Sequence, residues 1–185
     1  MSATGAGGMP ASRAALAMAL VLMSVAVQVT LMSRLPLPGA TPDLVLVVVV
    51  ALAIAHGPGF GLTVGFGAGL AIDLVPPADH EIGRWALVLA LLGYAAGLAA
   101  GPARRSAFLP VLVVAVAAGA SVLMYAGVGA LISDPQVTWV AVTELVPTAV
   151  LYAVVMSPFV VSTVLALVHR VEPENTLVSA VGSTR

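Results

Sequence analysis

The chain contains no cysteine and no lysine, and only 8% of its 185 residues are charged. The lack of cysteine excludes disulfides, thiolate nucleophiles and cysteine metal ligands. Arginine supplies all seven basic residues, and the net charge of -1 leaves no basic patch for nucleic acid. These absences exclude a disulfide-stabilised, thiol-dependent or nucleic-acid-binding protein.

Hydrophobic residues, in contrast, make up 61% of the chain, and the mean hydropathy is +1.12. A water-soluble domain of this length needs a polar surface, which seven arginines and eight acidic residues cannot provide. The outer solvent of the protein is therefore lipid. The fold class that follows is all-α, a polytopic bundle of membrane helices in the cell membrane.

Six apolar runs predict about six transmembrane helices, because roughly 20 residues are needed to cross about 30 Å of hydrocarbon. The runs cover residues 14–33, 43–55, 59–75, 85–101, 107–133 and 145–170. The second is short, so a hairpin with the third that does not fully cross is an open alternative. Residues 13–170 then form a single membrane domain between a disordered N-terminus, 1–12, and a tail, 171–185.

The arginines predict the orientation of these segments. Four arginines fall on one side of a six-span topology and two on the other: Arg13, Arg104, Arg105 and Arg170 against Arg34 and Arg84. Since basic residues concentrate on the cytoplasmic side, both termini are predicted to be cytoplasmic. Trp85 and Trp139 lie at the predicted outer ends, where indole rings anchor helices in the headgroup region.

One acidic residue, Asp73, ends a glycine-rich apolar run. A charge near hydrocarbon costs a few kcal/mol, so an acid in a membrane helix indicates a functional site. Gly61, Gly65 and Gly69 precede Asp73 at intervals of four residues and form one helix face, so the carboxylate is expected to point into the bundle or an outward-open cavity. A cap at the headgroup level is the alternative for Asp73.

Glycines in the next span repeat this spacing at Gly93, Gly97 and Gly101. Glycine lets helix backbones approach closely in lipid, where no hydrophobic force drives helices together. The two stripes therefore predict tight packing, either within the chain or against a partner protein.

The remaining polar residues are expected at helix ends and in turns. Asp43 follows Pro42 at a predicted helix start and is expected to cap it. His56 precedes Gly-Pro-Gly and is expected in a solvated cytoplasmic turn. A cluster in one outer loop lacks the ligand spacing of a zinc or calcium site and is expected to be a solvated turn: Asp79, His80, Glu81 and Arg84.

The order of these features resembles the MreD family of rod shape-determining proteins. An outer loop ends in Pro42-Asp43 before a hydrophobic run, and a glycine-rich span then ends in Gly-Leu-x-x-Asp-Leu, from Gly69 to Leu74. A loop with Leu-Gly in the family has Ile82-Gly83 here, and Gly93-Tyr94 follows in the next span. The resemblance covers roughly residues 10–172.

The resemblance implies a non-enzymatic scaffold of the cell-elongation complex. Members of the family pair with the single-span protein MreC and help to link the cytoplasmic actin-like filament to the synthases that build peptidoglycan. The family is also similar in fold to the substrate-binding subunits of energy-coupling-factor transporters. The residues that the resemblance and the small-residue stripe together assign to a partner or pocket are Pro42, Asp43, Gly65, Gly69, Asp73, Gly83, Gly93 and Tyr94.

Other functions remain open at this stage. A vitamin-type transporter subunit would use the same architecture, with Asp73 as a polar group in its pocket. An intramembrane enzyme would need a second acid, base or nucleophile near Asp73, and the sequence offers Tyr94, Ser121 and Tyr152. The chain shows no nucleophile with a base, no metal cluster and no phosphate loop, so no enzymatic activity and no cofactor are expected.

Overall fold

The fold is a bundle of helices, as given by a computed structural model that describes residues 11–32, 38–75, 83–106, 108–131 and 139–171. Every regular element in these ranges is helical. The helices are α1 Ala11–Thr30, α2 Leu44–His56, α3 Pro58–Asp73, α4 Arg84–Leu98, α5 Ala100–Ala103, α6 Leu109–Leu131 and α7 Trp139–Val171. The all-α membrane bundle predicted from the sequence is therefore confirmed.

Each of the six apolar runs corresponds to one helix, and the single turn of α5 covers the last two residues of the fourth run and the two that follow. Three helices are long and apolar enough to cross a membrane, namely α1, α6 and the part of α7 from Val142 to Val171. At 1.5 Å per residue the 13 residues of α2 span only about 20 Å. The 16 residues of α3 and the 15 of α4 span about 24 and 22 Å. Six full crossings therefore stay a prediction.

Some predicted boundaries differ from those of the structure. α1 begins at Ala11, before the predicted residue 14, and α7 begins at Trp139, before the predicted residue 145. The predicted disordered terminus is helical at Ala11 and Ser12, and its first ten residues lie outside the described ranges. The tail from 172 also lies outside them. α7 continues as one helix through Pro147 and Pro158.

The centre of the bundle is α2, the most hydrophobic helix. All ten residues from Val45 to Ile54 are buried, and α2 contacts each of the six other helices. A helix that is apolar on every side is stable only where every side is covered by protein or lipid. Here protein covers it, which explains how a short, valine-rich segment with weak helix propensity forms the core.

α3 and α4 form an antiparallel pair beside this core, and Gly57 joins α2 to α3. Gly57 has a φ of +93°, a conformation that other residues rarely adopt, and its N–H caps the end of α2 on the carbonyl of Ala53. The chain thus reverses within one residue. This reversal places the C-terminal end of α3, with Asp73, at the same end of the bundle as the N-terminus of α2.

Candidate functional site

Asp73 is fully buried, and its carboxylate accepts hydrogen bonds from three backbone N–H groups at the start of α4. Oδ2 lies 2.8 Å from the nitrogen of Gly83 and 3.1 Å from that of Ala86, and Oδ1 lies 3.2 Å from that of Trp85. The side chain is 0% exposed to solvent. The carboxylate points into the bundle, as predicted, and the helix that it caps is α4 and not its own span.

The local sequence explains why Asp73 is used in this way. The first N–H groups of any helix lack a partner within the helix, and α4 has Gly83 at its N-cap, which has no side chain to supply one. Gly83 has a φ of +101°, in the left-handed region that favours glycine. Asp73 also occupies the last position of α3, where the helix dipole disfavours an anion. The positive end of the α4 dipole offsets that cost.

Arg84, the first residue of α4, links this helix to α6. Its Nε and Nη2 lie 3.1 and 2.7 Å from the carbonyl oxygen of Tyr125, and its guanidinium carbon lies 3.6 Å from the centre of the Tyr125 ring. The Trp85 ring packs on the same tyrosine at 4.7 Å between ring centres. Arg84 is 5% exposed. The expectation of a solvated turn is therefore wrong for Arg84, because its donors and its planar face are both used by α6.

The glycine stripe of α3 lies directly against the backbone of α4. A Cβ atom at Gly61, Gly65 or Gly69 would overlap the carbonyl oxygen of Gly93, Leu89 or Trp85, respectively. Residue numbers rise along α3 while those of the contacted residues fall along α4, so the two helices are antiparallel. The tight packing predicted from glycine spacing is confirmed as an internal contact of this chain.

The second stripe is only partly used. Gly93 lies against the carbonyl of Gly61, and a Cβ at Gly97 would overlap Pro58, whereas Gly101 has nothing within 4 Å of such an atom. Gly65, Gly69 and Gly93 are thus committed to the α3–α4 contact. Their role in binding a partner stays a prediction. Any such effect would be indirect, because these glycines hold α3 and α4 together.

Pro42 and Asp43 form a second junction at the same end of the bundle, where α1 meets α2. Asp43 caps α2 by accepting from the N–H of Leu46 at 2.9 Å, as the sequence predicts. The Gln28 side chain donates to the carbonyl of Pro42 at 2.9 Å and accepts from the N–H of Leu44 at 2.8 Å. Gln28 therefore ties the end of α1 to the start of α2.

Tyr94 differs from these residues because it faces outward. Its side chain is 43% exposed, and it lies in a row of exposed residues on one face of α4: Leu87, Leu91, Tyr94 and Leu98. Their spacing of four, three and four residues is that of a helix face that packs against another helix. Tyr94 is thus the predicted site residue that is most available to a partner.

The two main cavities of the described residues are not lined by the predicted site residues. Two cavities in the described part of the chain, one between α4 and α6 and one at the opposite end from Asp73, are lined by other residues. The described residues hold no group of three potential metal ligands. Asp79, His80, Glu81 and Ile82 lie outside the described ranges, as does the side chain of Trp139.

Sequence reasoning missed the bonding of Arg84 and Gln28. A lone glutamine in an apolar run is a signal, because an amide buried among helices needs a partner for its donors and its acceptor. Arg84 and Tyr125 are 41 residues apart, so no local sequence pattern predicts that they bond.

Comparison with known proteins gives one match. The model of a protein family described as rod shape-determining protein MreD matches residues 12–171. No curated protein and no solved structure matches the chain. The matched range includes every described helix except the first residue of α1.

Proposed function

Because the chain belongs to the family of the rod shape-determining protein MreD, we propose that it is a non-enzymatic scaffold of the cell-elongation complex. In this role it binds a single-span protein of the MreC type, with contacts to other membrane proteins of the complex. It thereby links the cytoplasmic actin-like filament to peptidoglycan synthesis outside. The observation that carries the proposal is the family match over residues 12–171, which takes in the whole described bundle.

The use of polar groups inside the bundle supports a scaffold. Asp73, Arg84 and Gln28 each bond to backbone groups of a neighbouring helix or of the loop leading into it. These bonds fix one helix end to the next and give the bundle a defined outer end. A protein that positions partners needs such rigidity, whereas reacting groups would need to face a substrate.

We place six crossings and both termini in the cytoplasm. Arg13, Arg104, Arg105 and Arg170 lie at one end of the bundle, while Arg84 at the other end is buried against Tyr125. A buried arginine adds no exposed positive charge to its end. The difference in exposed basic residues between the ends is therefore larger than the sequence count indicates. The short helices α2, α3 and α4 cross where longer helices surround them or where the bilayer thins.

The outward face of α4 is the surface that we assign to the single-span partner. Leu87, Leu91 and Leu98 frame Tyr94 along this face. A transmembrane helix laid antiparallel or parallel to α4 would place its side chains between them, and the tyrosine hydroxyl offers one polar contact in lipid. α4 itself is held on its inner side by the glycine contact with α3.

The experiment is complementation of a strain that lacks the endogenous protein, with copurification of the MreC-type protein measured in parallel. The wild-type chain should restore rod shape and retain the partner. Tyr94→Ala combined with Leu91→Ala should reduce partner recovery, because it removes two side chains from the proposed face. Phe159→Ala, which removes an exposed aromatic residue from α7, is the matched control and should retain the partner.

Two outcomes contradict the proposal. Failure of the wild-type chain to recover any MreC-type protein would remove the scaffold function. Equal recovery of the MreC-type protein with the α4 double variant and with wild type would contradict only the assignment of the partner to the outward face of α4. The transporter-subunit alternative expects Asp73 in a pocket, and the two cavities described above are lined by other residues.

A further inference from the structure

A cavity of about 610 Å³ lies at the arginine-rich end of the bundle, opposite Asp73. Its walls come from the start of α1, the end of α2, α5, the start of α6 and the last half of α7. The volume is within the range of about 300–1,000 Å³ that is typical of ligand sites. The scaffold function proposed above does not use this cavity.

The rim of the cavity is basic. Arg13, His56, Arg104 and His169 line it, each from a different helix or helix end, and no acidic side chain is among its described lining residues. Each guanidinium carries several N–H donors. The Nε of Arg104 donates to the carbonyl of Ala100 at 3.3 Å, and the Nδ1 of His56 lies 3.1 Å from the carbonyl oxygen of Leu52. Two of the seven arginines of the chain therefore lie at this one cavity. The tertiary fold assembles it, since Arg13 and His169 lie near opposite ends of the chain.

One wall of the cavity, along α7, carries several apolar side chains and is long. Val161, Leu165 and Val168 line it along α7, together with Val111 on α6. The lining extends along α7 from Ser157 to His169, which is about 18 Å at 1.5 Å per residue. The cavity thus runs from charged residues at the helix ends to apolar residues near the middle of the bundle.

The cavity is open along α7. Pro158, Ser162 and His169 line it and are exposed. Ser157 is fully buried, and its hydroxyl donates to the carbonyl of Val154 at 3.0 Å, the carbonyl that cannot bond to an N–H of Pro158. This hydroxyl satisfies the carbonyl that the proline leaves without an intrahelical donor, and α7 continues past Pro158 beside the cavity.

We propose that this cavity binds a phosphate anion carried by a phospholipid of the adjacent leaflet. The phosphate lies against Arg13, Arg104 and His169, and an acyl chain lies along Val161 and Leu165. Charge-assisted hydrogen bonds from arginine to phosphate supply the specificity. Basic pockets between membrane helices on the cytoplasmic side are suited to acidic headgroups.

A lipid fits the cavity better than a free phosphate does. A free ion would use only the rim and would leave the part of the cavity along Val161 and Leu165 to be filled by water or by acyl chains. A phospholipid fills both parts, with its headgroup at the helix ends where the bilayer interface lies. The shared chemistry is the phosphate, so the test must separate the two sources.

The test measures binding to the full-length protein purified in detergent. Phosphatidylglycerol and phosphatidylcholine with identical acyl chains are the lipid probes, detected as retained adducts by native mass spectrometry. Inorganic phosphate is the soluble probe, used as a competitor. The variants are Arg13→Gln with Arg104→Gln for the rim and Val161→Phe for the apolar part. The matched controls are Arg105→Gln, an exposed neighbour outside the lining, and Val155→Phe, an exposed position on α7.

The expected result is one retained phosphatidylglycerol, bound about tenfold more tightly than phosphatidylcholine, since the rim recognises net negative charge. The rim variant should weaken phosphatidylglycerol binding by about tenfold or more, the size of effect that follows from losing bonds to a charged group. Val161→Phe should weaken it severalfold, and both controls should match the wild type. Arg104 is exposed, so Arg104→Gln alone keeps the test available if the double variant folds poorly.

Three results would overturn the proposal. Equal binding of the two lipids would remove the role of the basic rim, as would equal losses for Arg104→Gln and Arg105→Gln. Competition by millimolar inorganic phosphate, together with no effect of Val161→Phe, would assign the cavity to a soluble anion. None of these results bears on recovery of the MreC-type protein, which tests the scaffold function separately.

Discussion

Asp73 caps a helix to which it does not belong: its Oδ2 lies 2.8 Å from the backbone nitrogen of Gly83, the N-cap residue of α4. The two residues are ten positions apart, and the bond joins the last residue of α3 to the first turn of α4. Together with the glycine contact along the same helix pair, it holds the C-terminal end of α3 to the N-terminal end of α4. The Asp73 cap and the glycine contact therefore both stabilise the α3–α4 pair.

Asp73→Asn should lower the stability of the folded protein. An amide has one acceptor oxygen where the carboxylate has two, and its NH₂ group would face a backbone N–H that now donates to Asp73. A loss of about 1–3 kcal/mol in unfolding free energy is expected, as for an unsatisfied buried group. Asp43→Asn is the control, because asparagine caps a helix about as well as aspartate. Thermal unfolding in detergent measures both variants, and equal stabilities would contradict the capping role.

The consequence for the partner should follow from the same bond. Asp73→Asn is expected to insert into the membrane and to lose rod-shape complementation or recovery of the MreC-type protein, because α4 carries the proposed partner face. Asp79→Asn, in the neighbouring loop, should retain both. Normal cell shape with Asp73→Asn at normal expression would show that the charge is dispensable, although the scaffold function would survive.

Gly65→Ala should destabilise the protein, whereas Gly67→Ala should not. A methyl group at Gly65 would overlap the carbonyl of Leu89, but at Gly67 it has nothing within 4 Å. Overpacking of this kind typically costs about 1–3 kcal/mol. At Gly67 alanine favours the helix by up to about 1 kcal/mol. The difference in thermal unfolding between the two variants measures the effect of the α3–α4 contact. Equal stability of the two variants would contradict the role of that contact.

Arg84→Lys should also destabilise the bundle. Lysine cannot donate from two nitrogens in the fixed fork that meets the carbonyl of Tyr125, and it lacks the planar group that lies over the ring. Loss of about 1–3 kcal/mol is expected, the range for hydrogen bonds of charged groups. Arg105→Lys, at an exposed position, is the control. Unfolding midpoints and the fluorescence of Trp85, which packs on the same tyrosine, report the change.

Because the chain has no cysteine, the topology can be tested with single introduced cysteines. Thr41→Cys and Ser106→Cys each introduce a single thiol at an exposed position, at opposite ends of the bundle. A membrane-impermeant maleimide added to intact cells should label the first and spare the second, which should react only after lysis. Labelling of Ser106→Cys in intact cells would place the arginine-rich end outside and reverse the orientation.

Much of the architecture could be predicted from local sequence because each apolar run forms its own helix. The runs near α1, α6 and α7 are long enough to cross lipid on their own, and hydropathy alone finds them. α2 shows the limit of this signal. Its hydrophobicity is the same whether its neighbours are lipid or protein, so its place at the centre, with ten consecutive buried residues, depends on the helices that surround it.

The candidate site divides in the same way. The sequence by itself determined that the protein belongs in a membrane and that glycine faces pack closely, because these follow from composition and helical period. For Asp73 it left two possibilities, the bundle interior and a cap at the headgroup level. Only the tertiary structure decided what Asp73 and Arg84 bind, and which residues line the basic cavity. Those contacts join α3 to α4 and α4 to α6, and the cavity brings Arg13 and His169 into one lining; both depend on distances across the bundle that no local pattern encodes.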